Sequence, residues 1–177
     1  HKVCALVVDE ISIRKHLHYD PASDVVVGFA DDGRERKPLV GSSCLVAMVK
    51  GITKNWKQCL GYWIYHKNAS AADVKYVIES CIDVLAEVGL EPEVLISDQE
   101  GNNRSMLSAL GVSPERPFFE YSKFKIHCMY DPPHLIKSVR NNLYKYDLVF
   151  RGKVVSWSHI RSLYGLHHPL KLKLTPK

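Results

Sequence analysis

Hydrophobic positions fall into two kinds of run. Val3-Cys4-Ala5-Leu6-Val7-Val8 and Val94-Leu95-Ile96 are apolar without alternation, the pattern of strands covered on both faces. They predict strands over residues 3–11 and 93–97. Two more β-rich runs, residues 43–51 and 58–65, flank the linker Ile52-Thr-Lys-Asn-Trp-Lys57 and predict a hairpin. Residues 124–130 predict a fifth core strand. Between residues 10 and 40 the chain makes a hairpin and loop excursion. There Lys15-His-Leu-His-Tyr19 and Asp24-Val-Val-Val-Gly-Phe-Ala30 flank the turn-rich Asp20-Pro-Ala-Ser, and residues 31–38 read as a polar loop.

The second kind of run has helical spacing. Ser70-Ala-Ala-Asp73 resembles a capping box. Val74, Val77, Ile78, Cys81, Ile82, Leu85 and Val88 then form one apolar stripe, stopped by Gly89. Met106, Leu107 and Leu110 mark a short helix. Asp131-Pro-Pro-His134 opens another that carries Leu135, Ile136, Val139 and Leu143, with Asp131 as N-cap and Pro132 at the first helical position.

The order is three hairpin-joined strands, then helix, strand, helix, strand, helix. It predicts a five-stranded mixed sheet, three antiparallel strands followed by parallel βαβ units, with helices on both faces. This is the ribonuclease H-like α/β plan, in which the first and fourth strands are neighbours. Asp9 and Asp98 each close one of those strands, so two carboxylates should stand side by side. Like charges that close are costly unless neutralised, and a divalent cation does this. The arrangement points to metal-dependent chemistry on phosphates.

Composition narrows the class. At 177 residues the chain suits a single domain, 1–177, with residues 147–177 as a basic C-terminal segment. An apolar fraction of 46% with 24% charged residues is globular rather than disordered. No membrane-length apolar run or signal-peptide pattern occurs, and no Gly-rich phosphate loop favours a nucleotide-binding α/β fold. Both edges read as cuts in a longer polypeptide. The five cysteines form no CxxC pair and suggest buried free thiols in a reducing compartment. Charge is uneven. Residues 123–177 hold 11 Lys/Arg against 2 Asp/Glu, a net of +9, while residues 1–122 hold 13 against 17, a net of −4. Such a tail suits a polyanionic partner or simply a solvated basic face.

Three segments occur in a telling order: Val8-Asp9-Glu10-Ile11-Ser12-Ile13-Arg14, Leu95-Ile-Ser-Asp98-Gln-Glu-Gly-Asn-Asn103, and Tyr130-Asp131-Pro-Pro-His134-Leu-Ile-Lys137-Ser-Val-Arg140-Asn141. Together they resemble the catalytic domain of P element-type transposases, including THAP-domain relatives. The resemblance implies a DDE/D transposase working in the nucleus. Three acids would bind two Mg²⁺ ions, or Mn²⁺ as substitute, and activate water or a DNA 3′-OH against a phosphodiester. Partners would be DNA, as transposon ends and target, and further copies of the full-length protein; no membrane is implied. By position Asp9 is the first acid and Asp98 the second, and Asp131-Pro-Pro-His134 resembles the family's D/C-x-x-H signature. The family's third acid is a Glu beyond an inserted GTP-binding domain. Here no Glu follows Glu120, and the only acids from Asp131 onward are Asp131 and Asp147. The resemblance therefore implies that the third acid, the GTP-binding insertion and the zinc-bearing DNA-binding module lie outside these residues, leaving the fragment a poor nuclease.

Each candidate has a plainer reading. Asp9 could be a solvated strand-end carboxylate and Asp98 simple loop chemistry. Glu10 and Glu100 are expected to face solvent, Glu10 pointing away from Asp9 by strand alternation. Asp131 reads first as an N-cap. His134 could meet a DNA phosphate or be a hydrogen-bonded helix histidine. A zinc site from His127, Cys128 and His134 is weak, because adjacent strand residues face opposite ways. Lys137, Arg140 and Lys145 share one side of a helix and are candidates for DNA phosphate contacts or a solvated stripe. His167-His168 falls in an expected tail. The competing functions are a domesticated, non-catalytic DNA- or protein-binding module that keeps the fold, and a stand-alone ribonuclease H or exonuclease. Two retained repelling carboxylates argue against the first, and the scarcity of C-terminal acids against the second.

Overall fold

The computed structural model describes residues 2–167, which form two compact units divided after Asp131. Twelve strands and four helices follow in order: β1 (Val3–Ser12), β2 (His18–Asp20), β3 (Val25–Val27), β4 (Phe29–Asp31), β5 (Arg36–Val40), β6 (Ser43–Gly51), β7 (Lys57–Tyr65), α1 (Ala71–Glu87), β8 (Glu91–Ser97), α2 (Gly101–Ala109), β9 (Phe118–Tyr121), β10 (Phe124–Tyr130), α3 (Pro132–Lys145), β11 (Leu148–Phe150), β12 (Lys153–Val155) and α4 (Trp157–His167).

In the first unit the sheet order is β5-β4-β7-β6-β1-β8-β10-β9. Five consecutive strands of it, β7-β6-β1-β8-β10, are the five expected from sequence, and the first and fourth of them in chain order, β1 and β8, are neighbours as expected. β1 runs antiparallel to β6 and parallel to β8, and β10 is parallel to β8. The sheet is nevertheless eight-stranded rather than five-stranded. Residues 31–38, expected as a polar loop, lie largely in the β4–β5 hairpin. Asp32 closes its turn by accepting from the backbone N–H groups of Arg34 and Glu35, each at 2.9 Å. Pro38 is tolerated because β5 is an edge strand, where a missing N–H leaves no ladder bond unmade. At the other edge, β9 pairs antiparallel to β10 through a turn in which Ser122 has φ +53°.

The helical stripe becomes the core. Leu6, Val8, Leu45, Ala47 and Leu95 from the sheet close on Val74, Val77, Ile78, Cys81 and Ile82 of α1 and on Met106 and Leu107 of α2. Each such large aliphatic side chain contributes on the order of 1.5–3 kcal/mol by leaving water. Val88 leaves the stripe: as C-cap it is 68% exposed. Behind it Gly89 takes φ +75°, so its N–H reaches Ala86 O and the Leu90 N–H reaches Leu85 O, a Schellman close that a Cβ would strain. Ser70 caps the other end, exchanging hydrogen bonds with Asp73.

All five cysteines are free, but not all are buried. Cys4, Cys44 and Cys81 are; Cys128 is half-buried and Cys59 exposed. Cys59 lies beside the register shift between β6 and β7, where alternation is interrupted. Burial pushes the thiols of Cys4, Cys81 and Cys128 up to about 11, 12 and 12, which keeps them protonated at neutral pH.

In the second unit, α3 is followed by the β11–β12 hairpin and α4. Residues 148–167, expected as part of a basic segment and tail, are thus structured. Tyr144 of α3 meets Trp157 of α4 edge-on at 5.4 Å between ring centroids. His168 and the closing Leu-Lys-Leu-Thr-Pro-Lys lie outside the described residues.

Candidate functional site at the strand ends

The parallel pairing of β1 with β8 runs to Val7↔Ile96, so Asp9 and Asp98 each stand two residues past the last registered pair. Adjacent strands lie about 4.8 Å apart, which sets the backbones of the two aspartates about one strand spacing from each other. Asp9 is exposed and Asp98 half-buried. Alternation sets the side of Asp9: Leu6 and Val8 face the core under α1, so Asp9 projects from the opposite face with Val7.

Each carboxylate is held by one oxygen. Asp9 Oδ1 accepts from the Glu10 backbone N–H at 2.9 Å. Asp98 Oδ1 accepts from the Glu100 backbone N–H at 3.0 Å and from Asn103 Nδ2 at 2.6 Å. Among the described residues neither Oδ2 meets a hydrogen-bond donor. Paired hard oxygen donors at one strand spacing fit a Mg²⁺-type cation. Among the described residues no three His, Cys, Asp or Glu side chains are gathered as a ready metal cluster.

Asp131 closes β10 much as Asp98 closes β8, and its N–H donates to Ser97 O at 2.8 Å. In strand order it sits beyond Asp98 from Asp9, about 10 Å from the first strand by spacing. His134, half-buried, and Lys137, Arg140 and Lys145, all exposed, belong to α3 in the second unit. His127 is exposed on β10 while Cys128 turns toward the core, as alternation requires for a site they do not share. A cavity of about 340 Å³, lined by Arg104, Leu107, Val112, Cys128 and Tyr130 among others, includes neither aspartate.

Two residues gain roles that the linear pattern did not assign. Glu10, expected to face solvent, is half-buried: its Oε1 accepts from the Ser43 hydroxyl and from the Ala69 N–H at 2.9 Å. Asn103 is only 8% exposed and spends its carboxamide on Asp98. The available signal was its place on α2, three and four residues before the buried Met106 and Leu107, where a polar residue needs a partner.

Known transposases are similar to this chain in sequence and fold. Human DNA transposase THAP9 is 25% identical over 179 residues, covering 94% of this chain. The Drosophila melanogaster transposable element P transposase is 26% identical over 155 residues, covering 86%. The chain spans about a fifth of the length of these curated relatives, 20% and 18%. Among solved structures, the Drosophila P element transposase strand transfer complex superposes with a TM-score of 0.77 at 24% identity, over 98% of this chain and 36% of that one, and shares the fold. Residues 1–111 match the family described as TNP-like, RNase H N-terminal domain, and the chain belongs to that family.

Proposed function

We propose that this chain is the metal-binding part of a transposase core that cleaves DNA and transfers strands. The observation that supports this most is the pair of strand-end aspartates, level across two parallel strands, each with one oxygen tethered and the other, among the described residues, meeting no donor. Asp9 and Asp98 would hold the cation, Mg²⁺ or Mn²⁺. When bound, it would supply the Lewis acid that activates water or a 3′-OH and eases the charge on the phosphate. The two carboxylates do the positioning: their tethered oxygens fix where the remaining oxygens point. The exposed basic residues of α3, Lys137, Arg140 and Lys145, would contact DNA phosphates, and His134 with Asp131 would serve as accessory groups. The third carboxylate of a DDE/D set is not supplied here, since Asp147 and Asp131 are the only acids after Glu120. The chain alone should therefore nick DNA poorly, and GTP should matter only through a domain these residues do not contain.

Mn²⁺ titration of the 177-residue chain tests the metal site. Binding that disappears in Asp9→Ala and in Asp98→Ala is expected. No metal response would favour a binding module instead. DNA nicking by this chain as fast as by an active full-length protein would sink the missing-acid argument.

A further inference from the structure

Four hydrogen bonds, with short stretches of chain between them, link Asp9 to Asp98. The link starts at Asp9, whose Oδ1 takes the Glu10 N–H. The Glu10 carboxylate, anchored by Ser43, accepts the Ala69 N–H at 2.9 Å. The other side of the Ala69 residue, its C=O, accepts from Asn102 Nδ2 at 2.8 Å. Asn103, next in the chain, donates to Asp98 Oδ1 at 2.6 Å. Ala69 is fully buried and Asn103 nearly so, so water competes little for these bonds.

We propose that Asn103 and Asn102 are positioning residues for the metal site, Asn103 orienting the Asp98 carboxylate and Asn102 fixing the start of α2 to the Ala69 peptide that Glu10 ties to β1. This rests on the metal-site reading above. The carboxamide is the fitting group at both positions. A neutral amide donates to a carboxylate or a peptide oxygen without adding charge, whereas an aspartate at 103 would repel Asp98. The spacing matters because two carboxylates that drift by an ångström no longer share a cation, and partners behind a ligand tune metal affinity by about 10–100-fold.

The plainer alternative is that Asn103 merely fills space under α2. Asn103→Leu separates the two, since it keeps the side-chain shape and removes the donor. Mn²⁺ affinity of the 177-residue chain, read by electron paramagnetic resonance, should fall about tenfold or more in Asn103→Leu and Asn103→Ala, with a smaller loss in Asn102→Ala. Ser105→Ala removes a hydrogen bond within the same helix, from Ser105 Oγ to Gly101 O, that leads to neither carboxylate; it should leave affinity unchanged. If Asn103→Leu binds Mn²⁺ like the wild type while Asp98→Ala abolishes binding, the positioning role is wrong and the metal site stands. If Asp98→Ala has no effect, the metal site itself falls and this role with it. Should the leucine variant not fold, the wild type still decides. Mg²⁺ should move the Asn103 side-chain amide signal in a ¹⁵N correlation spectrum, and a signal that stays put while Mg²⁺ binds overturns the proposal.

Discussion

Glu10 is where the first strand meets the first helix. Its carboxylate serves two donors, the Ser43 hydroxyl one strand away and the Ala69 N–H just before α1. Glu10→Ala would leave the Ala69 N–H without its acceptor and the Ser43 hydroxyl with only the longer contact to Ile11 O at 3.4 Å, in a partly buried setting. Losing a hydrogen-bonded charged partner of this kind costs about 1.5–3 kcal/mol. Glu10→Gln keeps an acceptor oxygen and should cost less. Urea unfolding at neutral pH checks this, and equal stability of the alanine and glutamine variants would contradict it. Asp9→Ala, at an exposed position, should cost far less than Glu10→Ala. Strand alternation was enough to turn Glu10 away from Asp9. It could not show that the residue turned toward is Ala69, 59 positions along the chain. Asn103 escaped for the same reason: its partner is defined by the meeting of β8 with α2, not by its neighbours in sequence. Asp9 and Asp98 were legible because each ends an apolar run, a signal that is wholly local.

At the scale of elements, what was read well is what carries its own period. The α1 stripe, its capping box and its glycine stop are local features, and the helix keeps them. What was missed is short: β4, β5, β9, β11 and β12 hold five residues or fewer. Such strands exist because a neighbour offers its edge. The β4–β5 turn is tied down by Arg34, which bridges Asp32 at 3.0 Å and Asp73 of α1 at 2.7 Å and lies over the Tyr76 ring. Burial pushes the Asp73 carboxyl up, but hydrogen bonds from Ser70 and Arg34 outweigh it and leave it below the usual range. Asp32 is likewise lowered: its burial is outweighed by the Arg34 and Glu35 N–H groups and by the Arg34 guanidinium. A carboxyl lowered on folding contributes stability above its unfolded value, about 3.9, and loses it as pH falls through the lower folded value. Arg34→Met keeps a stem over Tyr76 and removes the charge. Its melting temperature should fall below wild type by a few degrees at pH 7, with the gap closing below about pH 4. A gap that does not change with pH would assign Arg34 a packing role only.

For the whole molecule, charge and architecture divide at the same place. The unit after Asp131 holds nine Lys/Arg and one Asp/Glu, a net of +8, while the unit before it holds fifteen and eighteen, a net of −3. Were the core to hold a cation on its acids, extra positive charge there would bring nothing, while a polyanionic substrate would still have to be attracted. Cations carried by a separate unit would meet both needs. On α3, Lys137, Arg140 and Lys145 lie within one side of the helix, away from the line of Leu135, Val139 and Leu143. Among the described residues none of the three makes an ion pair, although the Arg140 guanidinium does bond to Asn141 Oδ1. Each phosphate neutralised releases counterions and adds about 0.9 to the slope of log affinity against log salt. If all three contact DNA, the triple alanine variant should bind duplex more weakly, and its slope should be shallower by about 2.7. Fluorescence anisotropy between low and moderate salt reads this directly. A variant with weaker binding but the wild-type slope would show that these residues support the helix rather than the DNA, and an unchanged affinity would make them a solvated stripe. If Asp9 and Asp98 act on the cation and not on the phosphate charge count, their alanine variants should keep the wild-type slope when metal is absent, which separates substrate capture from metal binding in one series of measurements.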